Sequence, residues 1–350
     1  MSPADEDRRE RAVAALRRAA FLLERAQASS YRCQAYRTAA TVVEGTDAAR
    51  LGSLVAAGSV TDLPSVGART ADVVARTWAG EPVRALVDLE EQAAAVDAAR
   101  TDPGAVALHQ ALRGDLHAHS DASDGSTSVQ EMVLAAMGLG REYLAVTDHS
   151  PRLRVANGLS AARLRAQVQQ VRALAGAVAP FDVLTGIEVD VLDDGTLDQD
   201  PDLLDELDVV VASVHSKLRM DAPAMTRRLL RAVADPRTDV LGHCTGRQVT
   251  GRLRPPSQFD ARAVFEACAE HGVAVEVNCR PDRLDPPHAL LAVAVEVGCE
   301  LSIDSDAHAP GQLDWTWTGC ERVAAHGVPA ERVITTWTAE RVRARGRRGR

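Results

Sequence analysis

From Gly114 onward, seven short apolar runs alternate with stretches of helical character, and this alternation restricts the fold more than any other property of the chain. The runs are the Leu116 region, Tyr143 to Val146, Val183 to Val189, Val209 to Val214, Val240 to Leu241, Val273 to Val277 and Leu301 to Ile303. Strands separated by helices pair in parallel, so the pattern predicts an α/β fold, a seven-stranded (β/α) barrel. A hydrophobic content of 46% with 25% charged residues suits a chain that buries such a core.

Polar residues fall at informative places along these runs. The first leads through Asp115-Leu116-His117-Ala118-His119-Ser120, with Asp124 and Gly125 close behind. Alternate strand residues point to one side, so His117 and His119 can share an ion. The second run ends Thr147-Asp148-His149, the third carries Glu188, and the fourth and fifth end at His215 and His243. The seventh reaches Asp306 and His308. In a parallel barrel the C-terminal strand ends converge on one face, so ligands distant in sequence meet at one pocket. A lone strand-end histidine is more often a hydrogen-bonded structural residue, at odds of roughly 3:1. Six of the ten histidines recurring at equivalent ends reverse those odds.

Mixed nitrogen and oxygen ligands suit manganese or zinc, with iron a further option. Two or three divalent ions held this way lower the pKa of water toward neutrality and stabilise charge on a phosphorus centre and its leaving oxygen. The expectation is a metal-dependent phosphoric ester hydrolase. Lys217 and Arg247 lie two and four residues past His215 and His243 and are candidates for binding phosphate oxygens. A solvated loop cation is the competing reading, at about even odds for each. Lys217 is the single lysine among 40 basic residues. Asp115 and Asp148 are expected to orient ligands or brace the strand ends. Asn278 either meets the phosphate or packs.

Residues 1–110 differ in kind. Apolar positions at helical spacing run through residues 8 to 28 and 31 to 44. Leu63-Pro64-Ser65-Val66-Gly67-Ala68 then interrupts helical sequence, with Gly67 opening the next helix, as in a helix-hairpin-helix motif. Such a hairpin offers backbone N–H groups at a helix start to phosphate oxygens. Ser65 stands where a glycine is usual. Residues 8 to 50 hold nine arginines and four acidic residues, a local charge of +5, within a chain whose net charge is -9. Residues 81 to 112 read as an acidic, alanine-rich helix and linker. The organisation expected is a small all-α domain over 1–110, a barrel over 111–340 and a basic tail over 341–350. The six cysteines form no CxxC pair and carry no disulfide or zinc-knuckle signature. No apolar run reaches the ~18 residues of a membrane span, and the first thirty residues are charged helix, so no membrane partner and a cytoplasmic location are expected.

On these motifs, residues 114 to 310 resemble the PHP (polymerase and histidinol phosphatase) superfamily, a distorted barrel. The resemblance implies that His117, His119, Glu188 and Asp306 hold one ion, Glu188 with His215 and His243 a second, and Asp124, His149 and His308 a third. Glu188 then bridges, and Asp121 is the alternative to Asp124. Thr245-Gly246-Arg247, Glu276-Val277-Asn278 and Arg283-Leu284-Asp285 resemble the PHP domain of bacterial family X DNA polymerases. Tyr31-Arg32 through Ala40, with the hairpin that follows, resembles the leading DNA-binding domain of that family. Between hairpin and barrel there is no room for a palm and thumb of ordinary domain size, well over ~100 residues, so polymerase activity is not expected. The resemblance implies DNA as partner and a 3′-5′ exonuclease or repair nuclease as activity. A small phosphate ester, as in histidinol phosphatase, is the alternative, and a scaffold with an inert metal site is the third reading.

Overall fold

The computed structural model describes residues 2–346. The chain divides into two compact units, Met1–Thr101 and Asp102–Arg350.

The first unit is helical: α1 (Pro3–Arg25), α2 (Ser30–Glu44), α3 (Ala48–Ala56), α4 (Ala68–Ala79) and α5 (Arg84–Ala98). Ser2 caps α1 by accepting from the Ala4 N–H, and Pro3 occupies the first turn, where a missing N–H is harmless. Leu16, Ala20 and Leu23 of α1 recur at helical spacing and are buried in one cluster with Tyr36 and Val43 of α2 and Val73 and Val74 of α4. Inside this core Arg37 donates two 2.8 Å hydrogen bonds to the Glu24 carboxylate. Between α3 and α4, buried Leu63 and Val66 pin a tight hairpin. Ser65 takes the left-handed conformation there, with φ +60°, and Gly67 is the N-cap of α4.

The second unit opens with α6 (Pro103–Ala111), capped by Asp102 on the Ala105 N–H at 2.7 Å. Composition puts the module boundary near residue 110. The compact units divide earlier because α6 buries Ala105 and Leu108 in the same core as Trp317, Cys320 and Val323 of the helix Thr316–Ala324.

Seven parallel strands follow in sequential order: β1 (Gly114–Asp115), β2 (Tyr143–Val146), β3 (Asp182–Asp190), β4 (Val209–Ser213), β5 (Val240–Leu241), β6 (Ala274–Asn278) and β7 (Leu301–Asp304). The register sets Glu188 of β3 opposite Val211 of β4, and Asn278 of β6 opposite Asp304 of β7. Beyond β1 and β7 the sheet curls back on itself. Ala118 and Ala307 form a parallel bridge, the Leu116 N–H donates to Asp304 at 2.8 Å, and the Ser305 N–H donates to Asp115 at 3.1 Å. Two- to five-residue strands and a longer β3 make the barrel irregular, the distorted barrel that the family resemblance implies.

Strand alternation separates an inner core from an outer one. Tyr143, Ala145, Leu184, Val209, Val211 and Ala274 cluster together, whereas the intervening Leu144, Val146 and Val183 join the packing against the helices. Ile334, Trp337, Ala339 and Val342 complete the inner cluster. The final helix, Ala339–Gly346, covers the ends where strands begin: Arg343 pairs with Asp182 at 2.9 Å, and Arg345 with Glu300 at 2.9 Å. The remainder of the expected basic tail, residues 347–350, lies outside the described residues. The opposite face is left to polar side chains.

Candidate metal centre

The inner face of the barrel changes character toward the ends of the strands. On β3 the parity that buries Leu184 continues through Gly186 to Glu188, and on β6 that of Ala274 continues to Glu276 and Asn278. Gly186 is required, since a Cβ there would lie 2.9 Å from Thr147 Cγ2 and 3.0 Å from the Val209 carbonyl.

Glu188, 1% exposed, is surrounded by imidazoles. One carboxylate oxygen lies 2.8 Å from His243 Nε2 and 3.2 Å from His215 Nε2. The other lies 2.8 Å from His149 Nδ1, 3.4 Å from His117 Nε2 and 3.6 Å from His119 Nε2. Asp306 stands 3.3 Å from His119 Nε2 and 3.6 Å from His308 Nδ1. Asp124 closes the far side, 3.5 Å from His149 Nε2 and 3.4 Å from His308 Nε2. All nine expected ligand residues therefore meet at one place.

Within it, three groups bring ligand atoms close enough for an ion: His119, Asp124, His149 and His308; His117, His119 and Glu188; and His149, Glu188 and His215. The family pattern pairs His243, rather than His149, with Glu188 and His215. Here His149 makes that group, while His243 contacts the same Glu188 oxygen as His215 does. Asp121, the alternative to Asp124, is in none of these groups.

The donor set suits divalent cations on its own chemistry. Nε2 of His117, His119 and His215 and Nδ1 of His149, all facing Glu188, are buried without a hydrogen-bond partner. Buried polar atoms are ordinarily satisfied, and four orphaned imidazole nitrogens beside carboxylates are what a metal cluster would complete.

Electrostatics fit that reading. Burial opposes ionisation of Glu188, yet His215, His117 and His149 outweigh it and hold the carboxyl well below its usual range. Burial likewise opposes ionisation of Asp306, but Arg280 and His117 keep it well below the carboxylate range. Burial pushes His119 well down, and burial with the Arg283 charge lowers His243 to about 3, so both rings stay neutral, the form that ligates.

Groups other than Asp115 and Asp148 orient these rings, and Asp115 takes the bracing role that was its other expectation. Glu276, fully buried in mid-strand, lies 2.6 Å from His117 Nδ1 and accepts from the His243 N–H. Asp190 accepts from His215 Nδ1, and the Asp306 carbonyl lies 2.9 Å from His308 Nδ1. Such contacts of histidine with a carboxylate or a main-chain carbonyl fix tautomer and ring orientation. Asp148 instead anchors the loop leading to Asp124, accepting from the Ser120 N–H at 2.8 Å and from the Ser123 hydroxyl and Gln167. Asp115 braces β1 against β7. Asn278 donates to Asp306 at 2.9 Å. The signal for Glu276 and Asp190 was strand parity: each is a carboxylate on a site-facing position of an apolar strand.

The two expected phosphate-binding cations make other contacts. Lys217 is 61% exposed and pairs with Asp193 at 2.5 Å. Arg247 donates to the main-chain carbonyls of Arg283, at 2.9 Å, and Leu284. The cations that do reach the cluster are Arg280 and Arg283, 3.6 and 3.3 Å from Asp306.

This barrel and its rim of imidazoles and carboxylates define a class, the metal-dependent phosphoesterases of the PHP type. Residues 115–280 match the PHP domain family and are a PHP domain. Among similar proteins, the DNA polymerase/3'-5' exonuclease PolX of Bacillus subtilis is 41% identical over 208 residues, which are 59% of this chain and 36% of that protein. A probable phosphatase of Edwardsiella ictaluri is 29% identical over 231 residues, 63% of this chain and 88% of that protein. The structure of a histidinol phosphate phosphatase from Lactococcus lactis, complexed with zinc, L-histidinol and phosphate, aligns with a TM-score of 0.41 at 18% identity, covering 60% of this chain and 93% of that one. No helix among the described residues is long and apolar enough to cross a membrane.

Proposed function

We propose that this chain is a DNA-directed phosphodiesterase, a 3′-5′ exonuclease or repair nuclease that removes nucleotides by hydrolysis. The observation that carries the proposal is the 41% identity to the Bacillus exonuclease, against 29% to the probable phosphatase. The helical unit supports it. The Leu63–Gly67 hairpin presents the start of α4, and a Cβ built at Gly67 would meet nothing within 4 Å, so its backbone is open to a partner. Backbone N–H groups at a helix start take phosphate oxygens without reading bases.

His117, His119, Asp124, His149, Glu188, His215, His243, Asp306 and His308 would hold two or three divalent ions, manganese or zinc. Such ions supply Lewis-acid activation of water and charge stabilisation at phosphorus. Glu188 faces five of the six imidazoles and is the residue placed to bridge. Glu276 and Asp190 hold His117 and His215 in one tautomer, each keeping Nε2 toward Glu188. The loop fixed by Asp148 delivers Asp124 to His149 and His308.

A small phosphate ester is the second reading, supported by the probable phosphatase whose length this chain covers to 88%. One panel separates the two: full-length protein with manganese, zinc or chelator, offered end-labelled single-stranded DNA, gapped DNA and histidinol phosphate. Metal-dependent shortening of DNA that disappears in His117→Ala is expected. Phosphate release from the small ester alone would sink the DNA reading.

A further inference from the structure

We propose that Arg280 and Arg283 are the substrate-phosphate clamp of this centre, binding non-bridging oxygens of the phosphoryl group beside Asp306. The inference rests on the phosphoesterase reading but not on DNA as the ester.

Both arginines leave the end of β6 in one short loop, Asn278-Cys279-Arg280-Pro281-Asp282-Arg283. Arg280 lies 3.6 Å from one Asp306 oxygen and 3.3 Å from His308 Nδ1, while Arg283 Nε lies 3.3 Å from the other Asp306 oxygen. Ion pairing with Asp306 does not exhaust them. Asp306 already accepts from Asn278 at 2.9 Å and faces His119 at 3.3 Å. Arg283 keeps Nε and Nη1 buried with no hydrogen-bond partner, in a side chain only 13% exposed. A guanidinium has no accepting atom, so its buried N–H groups are satisfied only by an acceptor brought to them.

The chemistry of the donors names that acceptor. Around the centre, Asp282 pairs with Arg280 at 3.2 Å, and Asp190 and Glu276 lie against His215 and His117. None of these three accepts from the buried Nε and Nη1 of Arg283, which have no hydrogen-bond partner. Those N–H groups call for a further anionic oxygen acceptor in the plane of the guanidinium. A phosphate ester supplies that anion, with oxygens in the planar spacing an arginine fork matches. Of the other candidates, Lys217 is held by Asp193 and Arg247 by main-chain carbonyls.

The loop is fixed before any substrate arrives. Buried Asp285 accepts from the Thr245 N–H at 3.2 Å, the Asn278 N–H donates to the Asp285 carbonyl at 2.8 Å, and Arg247 grips the carbonyls of Arg283 and Leu284. Leu284 is held at φ +46°, a conformation retained only where surroundings impose it. Arg247 is thus a positioning residue for the clamp.

The test is calorimetric titration of inorganic phosphate into manganese-loaded full-length protein, with bound manganese counted by atomic emission for each variant. Arg283→Ala should weaken phosphate at least ~10-fold and Arg280→Ala about 5-fold, with manganese content unchanged. Arg283→Lys, which keeps charge and fold but not the fork, should recover less than half of the loss. Unchanged phosphate affinity in both alanine variants would overturn the clamp. So would a loss of phosphate affinity that tracks a loss of manganese, because the arginines would then act only through Asp306. Failure of the DNA reading shows itself separately, as intact labelled DNA with the wild-type protein.

Discussion

Glu188 Oε1 stands 2.8 Å from His243 Nε2, and the contact joins the C-terminal part of β3 to the segment just past β5. Because the same oxygen also faces His215 and the second faces His149, His117 and His119, one side chain ties together histidines from four segments.

Replacing that carboxylate by its uncharged isostere is therefore the most informative single change. Glu188→Gln keeps the volume, so melting should stay near wild type. Loss of a bridging ligand and its charge should remove at least one equivalent of metal and lower kcat by about 10³-fold or more, in the range for disabling activation at a metal centre. Elemental analysis of the purified variant checks the first expectation and steady-state hydrolysis the second. A variant with full metal content and wild-type kcat would show that Glu188 is not the bridge.

Metal loading should release protons. Burial opposes charge on His215, but Glu188 and Asp190 outweigh it and raise the metal-free imidazole to about 9. A ligating imidazole is neutral, so at neutral pH an arriving ion must displace that proton. Affinity should rise by about tenfold per pH unit for each proton displaced and level off once pH passes about 9. The stability sign is opposite in the metal-free protein: a raised histidine pKa contributes stability below the ordinary histidine value, and that contribution fades as pH climbs through about 9. Manganese titrations in two buffers of different ionisation enthalpy report the proton count directly. Identical heats in both buffers at pH 7 would contradict the assignment.

The strands and their ligand-bearing ends were legible because both follow from one-dimensional pattern. Apolar runs must be buried, and histidines at the ends of successive parallel strands must converge. Glu276 was less legible: a buried carboxylate in an apolar run declares its orientation by parity, but its partners, His117 and the His243 N–H, lie on other strands. Arg247 and Arg283 show the limit most sharply. Distance along the chain from His243 favours Arg247, yet Asp285 binds the Thr245 segment, turns Arg247 toward the next loop and leaves Arg283 at Asp306. The helical linker posed the same difficulty, since only the packing of Ala105 and Leu108 beside Trp317 reveals that α6 belongs with the barrel.

Glu276→Gln tests orientation apart from ligation. Glu276 lies 2.6 Å from His117 Nδ1, too far back in the strand to be one of the grouped ligands. Removing the charge weakens the contact that fixes the His117 tautomer, and changes of this kind lower metal affinity by roughly 10- to 100-fold. Competition against a chromogenic chelator gives the number. The variant should regain wild-type turnover when metal is raised in proportion; turnover that stays low at saturating metal would assign Glu276 a part in the reaction itself.

The helical unit offers a stability prediction independent of the metals. Arg37 and Glu24 are 7% and 4% exposed and share two 2.8 Å hydrogen bonds inside an apolar cluster. Their mutual attraction is offset by the desolvation of both charges, so the pair is a weak net contributor while intact. Removing one partner is different, because the remaining charge stays buried without the carboxylate that compensated it. Glu24→Ala should destabilise this unit by about 3 kcal/mol, whereas the double variant Glu24→Leu with Arg37→Met should cost far less, since apolar replacements of similar volume satisfy the same space. Hydrogen exchange of the full chain in increasing urea, read on peptides from residues 2–100, isolates the transition of this unit from that of the barrel. If the single and double variants melt together, the pair is not the buried, coupled contact its geometry describes.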